Sequence, residues 1–201
     1  MSGLRLFSTL RSGNCYRVRL LLALLDLPYE TIEATGGRGQ LTAPGLLAAN
    51  PLGEVPVLVD GDLVLRDSHA IMVYLAARHG PAFLPAAPAD LAAVMQWLAL
   101  SANEIQNGLR MARAIKVGGM PGDLAAAMKL AHRALGLIDR RLAGRDWLET
   151  GRPTIADLAV YAYVRSAHES GIEMKDYPAI GPWLRRIAAL PGYIPLSDVI
   201  V

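Results

Sequence analysis

Val55-Pro56-Val57-Leu58-Val59, then Asp60-Gly61-Asp62, then Leu63-Val64-Leu65-Arg66, then Asp67-Ser68-His69-Ala70-Ile71 follow one another without interruption. Two short β-branched and aliphatic runs flank a Gly-containing connection, the pattern of a β-hairpin. From Ser68 to Arg78 the apolar spacing changes to three and four, which predicts a helix. Upstream, Leu4–Ser8 alternates as a strand does, and Cys15–Leu27 reads as a helix with Ser12 or Asn14 as cap and Pro28 as stop. Tyr29–Ala34 is a further short strand. Gly36-Gly37-Arg38-Gly39 is too irregular for either element. The expected order is strand, helix, strand, an irregular stretch, strand, strand, helix: a small α/β domain with a mixed sheet over residues 1–79.

Residues 80–88 are rich in Pro and Ala and read as a linker. Beyond it strand signals vanish. Asp90–Lys116, Gly122–Ala143, Thr154–His168 and Pro178–Ala189 all carry helical spacing, with Gly or Pro breaks between them. Residues 89–201 are therefore expected to form an all-helical bundle. Within it, Thr154-Ile155-Ala156-Asp157 fits a capping box, in which a Ser/Thr cap and an acid three residues later satisfy the first N–H groups of a helix.

Composition narrows the function classes. Of 201 residues, 53% are hydrophobic and 19% charged, enough apolar surface for a sizeable core and unlike a disordered chain. Net charge is +2, and residues 1–80 hold 7 basic and 7 acidic side chains, so no basic excess suits a nucleic-acid partner. A single cysteine, Cys15, excludes a disulfide framework. His69, His79, His132 and His168 show no metal-ligand spacing, so no metal is expected. The longest greasy run, Val18–Leu27, is broken by Arg19 and Asp26 and falls short of the ~20 residues that span a bilayer. With an opening MSGLRLFSTLRSGN that lacks an apolar signal region, a cytoplasmic location is expected.

Three motifs carry a family resemblance. Asn50-Pro51-Leu52-Gly53-Glu54-Val55-Pro56-Val57-Leu58 resembles the "NPxGxVPxL" segment of glutathione transferases. Asp67-Ser68-His69-Ala70-Ile71 with Tyr74-Leu75 resembles their "ESxAIxxYL", and Tyr177-Pro178-Ala179-Ile180 with Trp183 and Arg186 their "YPxIxxWxxR". The motifs fall in the family's order over nearly the whole chain. The resemblance implies a thioredoxin-like N-terminal domain, a helical-bundle C-terminal domain, glutathione as co-substrate and a homodimer.

It also implies site residues. Family chemistry needs a glutathione thiolate, and a free thiol with pKa of about 8.5 is only a few per cent ionised at pH 7. Serine-using relatives place the donor in a segment resembling "SSCSxRVR". Laying Arg17-Val18-Arg19 on that segment puts Ser12 at the donor position and Asn14 where some bacterial members place a second, amide donor. Read from the residues alone, Ser12 and Asn14 are equally helix caps. Ser8 and Thr9 are rival hydroxyls, whereas Phe7 lacks a phenol and Tyr16 falls within the helix. Cys15 reads either as a reactive thiol near a helix start or as a packed one, buried as free cysteines tend to be.

For the rest of glutathione, the resemblance implies a cis Val55–Pro56 bond that presents the Val55 backbone to the cysteinyl part. It implies Ser68 for the γ-glutamyl carboxylate, Asp67 for the amino group and Gln40 for the glycyl end. Asn103, Glu104, Asn107, Arg110 and Arg113 on the fourth helix receive no role, and Trp97, Trp147 and Trp183 read as core. The function expected is transfer of glutathione to a small hydrophobic electrophile, a detoxification chemistry. The alternatives are a non-catalytic binding module of the same fold, a glutathione-dependent isomerase, or a thiol–disulfide oxidoreductase working through Cys15.

Overall fold

A computed structural model of the chain describes residues 3–36 and 41–196. They divide into two compact units, one holding the described residues up to Gly80 together with those from Pro191 onward, the other running from Pro81 to Leu190.

The first unit is built on four strands, β1 (Leu4–Ser8), β2 (Tyr29–Glu33), β3 (Val57–Asp60) and β4 (Leu63–Arg66), in the order β2-β1-β3-β4. β1 runs parallel to β2 and antiparallel to β3, which pairs antiparallel with β4. Asp60 opposes Leu63, so the hairpin turns on Gly61-Asp62. Gly61 has φ +61°, a left-handed conformation that tight hairpin turns require and glycine adopts without steric cost.

Between β1 and β2 lies α1 (Gly13–Leu24), and after β4 comes α3 (Ser68–His79). The two helices pack together, burying Leu20, Leu21, Leu22, Ile71, Met72 and Leu75. A second buried cluster gathers Phe7, Ala34, Val57 and Val59 with Leu46 of the single-turn helix α2 (Leu46–Ala49). Strand β3 is buried at Val57, Leu58 and Val59 alike, as befits a strand covered on both faces. This is the thioredoxin-like arrangement.

Several boundaries differ from the sequence reading. Helix α1 starts two residues earlier than expected because Ser12 is its cap, and ends at Leu24 because Asp26 takes a left-handed backbone (φ +51°). The strand expected from Val55 begins at Val57, since Pro56 has no N–H to give a ladder. The glycine-rich Gly37, Arg38 and Gly39 lie outside the described residues.

The second unit is helical throughout its described residues: α4 (Pro88–Leu100), a π-helical segment (Ser101–Arg110), α5 (Met111–Lys116), α6 (Leu124–Leu142), α7 (Ile155–Val164) and α8 (Ile180–Ala188), with short 3₁₀ turns. The expected single helix over Asp90–Lys116 is thus interrupted by wider π turns. Gly108 on that segment sits so close to α6 that a Cβ there would lie 2.5 Å from the Ala131 backbone N.

All ten residues of α7 are buried. Its N-terminus carries the expected capping box, with Thr154 Oγ1 accepting from Ala156 N at 3.2 Å and Asp157 Oδ2 accepting from Thr154 N at 2.9 Å. The other oxygen, Asp157 Oδ1, accepts from Leu148 N at 2.9 Å and from the Trp183 indole at 3.0 Å. One carboxylate therefore ties together the start of α7, the preceding loop and α8. Burial pushes its pKa up to about 6 even so.

Among the described residues, 191–196 group with the first unit, where the Tyr16 hydroxyl donates to the Ile194 carbonyl at 2.9 Å. A phenol buried in α1 needs such a partner, and a carbonyl 178 residues away supplies it.

Candidate functional site

The strand register sets the site. Phe7 opposes Val57, and Val57 opposes Arg66. Two residues further along each strand direction stand Thr9, Val55 and Ser68. One end of the sheet thus gathers the β1–α1 connection, the residues before β3 and the start of α3.

In the β1–α1 connection Ser12 is the N-cap of α1. Its Oγ accepts from Cys15 N at 3.3 Å. An oxygen that accepts in this way still has its own O–H proton to give, so capping and thiolate donation are compatible roles for one hydroxyl. Asn14 is the second residue of α1 and is half-buried. Ser12 and Asn14 share the helix start, where the helix dipole favours an anion.

Cys15 is fully buried, and burial pushes its thiol pKa up, outweighing hydrogen bonds with Thr9, Ser12 and Ser8 and the charge of Arg19. A reactive cysteine needs the opposite, an accessible thiolate. Cys15 is a packed thiol. The rival hydroxyl of Ser8 is also buried, and accepts from Arg19 Nη1 at 2.8 Å.

The Val55–Pro56 peptide bond is cis. Outside the strand ladders, no described backbone group bonds the N–H or C=O of Val55. The loop before it is pinned by buried Asn50, whose side-chain N–H donates to the Glu54 carbonyl at 2.9 Å while its Oδ1 accepts from Leu52 N at 3.2 Å.

Ser68 opens α3 and is buried, but the cap is Asp67. Asp67 Oδ1 accepts from His69 N at 2.9 Å and Ala70 N at 3.0 Å. Asp67 has φ +73°, a conformation that costs a non-glycine residue roughly 1–3 kcal/mol and concentrates at functional sites. Asp67 Oδ1 thus engages two N–H groups in the first turn of α3, beside the buried Ser68. Behind Asp67, the Arg17 guanidinium meets His69 Nε2. Burial and the Arg17 charge hold the His69 pKa down at about 4, so this imidazole is neutral at pH 7.

Gln40 lies outside the described residues. The structure therefore brings Ser12, Asn14, Val55, Pro56, Asp67 and Ser68 to one unit and is silent on Gln40. Two residues given no role in the sequence reading hold backbone here, Asn50 and Arg19. Their signals are an amide at the head of a Pro-Leu-Gly turn and one of two buried arginines on a largely apolar helix.

In the second unit, Arg113 bonds Glu169 at 2.6 Å, Asn107 donates to Asn103 at 3.1 Å, and Arg133 faces Glu104 at 3.9 Å. Trp147 and Trp183 are buried, and the half-buried Trp97 donates to Glu149 at 2.7 Å. Among the described residues, no group of three or more His, Cys, Asp or Glu side chains is arranged to hold a metal ion. No described helix is long and apolar enough to cross a membrane.

Comparison with known proteins agrees with these features. Residues 6–83 match the glutathione S-transferase N-terminal domain, and residues 121–191 the C-terminal domain of the same family. Glutathione S-transferase GstB of Escherichia coli is 30% identical over 90% of this chain and 91% of its own length. The chain belongs to the glutathione S-transferase family. A glutathione S-transferase structure from Pseudomonas fluorescens superposes with TM-score 0.89 at 34% identity, covering 98% of this chain and all of that one. A theta-class member from Xanthomonas axonopodis pv. citri, solved with glutathione bound, gives TM-score 0.84 at 29% identity, with 96% of each chain covered.

Proposed function

We propose that this transferase-family protein binds glutathione at the end of the first unit's sheet and ionises its thiol through Ser12, for attack on a small hydrophobic electrophile. The observation that carries the reading is the Ser12 hydroxyl. It caps α1 through its oxygen, keeps a proton to donate, and shares its end of the sheet with Val55 and Ser68.

Lowering a thiol pKa from about 8.5 by two requires about 2.7 kcal/mol of preference for the anion. One hydroxyl donating to a charged acceptor contributes about 1.5–3 kcal/mol, and a helix N-terminus about 0.3–1 kcal/mol. Ser12 and the α1 start meet that requirement together, and the Asn14 amide adds a second donor. The cysteinyl backbone pairs with Val55 in the manner of an added strand. The γ-glutamyl carboxylate is held by Ser68, its ammonium by Asp67, and the glycyl end by Gln40. The thiolate sulfur then attacks the electrophilic carbon, forming a thioether as the leaving group departs with its electron pair or as an activated double bond takes up a proton.

We read the protein as cytoplasmic, metal-free and homodimeric. The dimer is supported by apolar side chains on surface elements: Leu63 and Val64 on the edge strand β4, at 40% and 44% exposure, and Met95 on α4 at 46%. Exposed apolar edges of this kind are normally covered. The buried, hard-to-ionise Cys15 argues against disulfide exchange through that thiol. The deciding experiment is an ultraviolet titration of thiolate absorbance, with and without glutathione, for wild type and Ser12→Ala. A bound thiol pKa well below the free value, restored towards it in the variant, is expected. Absence of glutathione binding would leave a non-catalytic module of this fold.

A further inference from the structure

Helix α1 is buried nearly all round, yet it carries Arg19, which is itself buried. A buried guanidinium needs acceptors for its N–H groups. Arg19 finds them on three consecutive residues, the last of β1 and the first two of the β1–α1 connection. Nη1 donates to Ser8 Oγ at 2.8 Å and to the Thr9 carbonyl at 2.9 Å, and Nη2 to the Leu10 carbonyl at 3.1 Å. The Thr9 carbonyl also accepts from the Ser12 N–H at 3.4 Å. Arg19 is thus a single acceptor removed from the backbone of Ser12.

All three acceptors are neutral. Placing a full charge in a core against uncharged partners adds little to stability that a well-packed apolar residue would not. What it adds is geometry. A planar fork fixes three successive residues where β1 passes into the connection, whereas a lysine at the same position brings the charge without the fork.

We propose that Arg19 is the positioning residue for the thiolate donor: its fork fixes the Thr9 carbonyl, and through it the backbone and hydroxyl of Ser12, at the start of α1. This rests on the reading of Ser12 as the donor. Loosening the fork misaims the hydroxyl while leaving Val55, Asp67 and Ser68 on their own elements. Ionisation of bound glutathione therefore suffers, and the tripeptide's anchoring does not.

The test compares wild type, Arg19→Lys, Ser8→Ala, Ser12→Ala and the doubles that combine Ser12→Ala with each of the other two. The readouts are the thiol pKa of bound glutathione, from the difference titration with and without ligand, and the Kd of S-methylglutathione, which has no thiol proton. Arg19→Lys is expected to raise the bound thiol pKa by about one, tenfold less thiolate below that pKa, and to move the alkaline rise of the conjugation rate by the same amount. The S-methylglutathione Kd is expected to stay within about twofold, a change worth under 0.5 kcal/mol. Ser8→Ala, which removes a single acceptor, is expected to shift the pKa in the same direction by less. Neither change is expected to add anything once Ser12 is alanine.

A wild-type pKa in Arg19→Lys overturns the proposal. So does a loss of S-methylglutathione affinity matching the loss of ionisation, or a full additive effect in the Ser12→Ala background. Should Arg19→Lys fail to fold, Ser8→Ala decides, and an unchanged pKa there overturns the proposal. If Ser12→Ala itself leaves the thiol pKa unchanged, the donor reading falls and this inference with it. If Ser12→Ala shifts the pKa and the Arg19 and Ser8 variants do not, only the inference falls.

Discussion

Asp157→Asn isolates a single buried proton. The wild-type carboxylate accepts four hydrogen bonds, from Leu148 N, the Trp183 indole, Thr154 N and the Thr154 hydroxyl. Asparagine keeps one oxygen and turns an NH₂ towards at least one backbone N–H, so the variant is expected to be less stable at every pH, by about 1–3 kcal/mol for each donor left facing it. The pH dependence is the sharper reading. Burial raises the folded-state pKa from 3.8 to about 6, so the folded chain binds the proton more tightly than the unfolded one. Stability from this group is fully present below pH 3.8 and is lost as pH rises through about 6. At pH 7.5 the lost stability amounts to about 3 kcal/mol, and at pH 5 to about half of that. Asparagine carries no titrating proton, so the stability gap between wild type and variant is expected to be roughly 1.5 kcal/mol wider at pH 5 than at pH 7.5. The assay is urea unfolding followed by tryptophan fluorescence, which reports this unit because Trp97, Trp147 and Trp183 all lie in it. A gap that does not change with pH refutes the reasoning. A gap wider at pH 7.5 means that the four donors outweigh burial and hold the carboxyl low.

His69 titrates with the opposite sign. Its folded pKa of about 4, against an ordinary 6.5, means that stability is present above pH 6.5 and is lost as pH falls. His69→Gln is expected to recover roughly 2 kcal/mol of the wild-type loss between pH 7.5 and 4.5, read by hydrogen exchange in α1 and α3. Gly108→Ala should destabilise the helical unit by about 1–3 kcal/mol, because its Cβ meets the α6 backbone and overpacking outweighs the gain in helix propensity. Asn50→Ala is expected to raise the KM for glutathione with little change in kcat, since it frees the loop that presents Val55 and leaves Ser12 alone. Cys15→Ala is expected to keep conjugating activity and to cost about 1–2 kcal/mol for a lost buried contact, checked by thermal unfolding alongside turnover. Leu63→Lys should move a sedimenting dimer towards monomer.

The elements legible in the sequence were those whose local chemistry decides them. The hairpin of β3 and β4 follows from two apolar runs around Asp-Gly, and the start of α7 from Thr154 and Asp157, which bond each other within a single turn. Helix α2 was not legible: four residues are a single turn, too short to show a period, and its cap is Gly45, which offers no side chain. The π segment hides for a related reason. Its apolar spacing continues that of α4, and what sets it apart, the approach of Gly108 to α6, is a contact between distant parts of the chain. At the site, Ser12 and Ser68 were singled out by the family resemblance, because from the residues alone a small hydroxyl before or at a helix start is equally a cap. Asp67 took the capping role that Ser68 was free to take, a choice made by backbone geometry at φ +73° rather than by residue type. Arg19 is the instructive case. A cation amid Leu and Val on a helix buried nearly all round must be matched by acceptors, and that much is readable from composition alone. Which acceptors is not, because they are backbone carbonyls and a hydroxyl that any sequence could supply, and only the return of the chain from β1 into α1 sets them beside the guanidinium. Residues that hold a site through backbone partners are for that reason the last to be read from sequence, and the Arg19→Lys comparison is where such a reading meets a measurement.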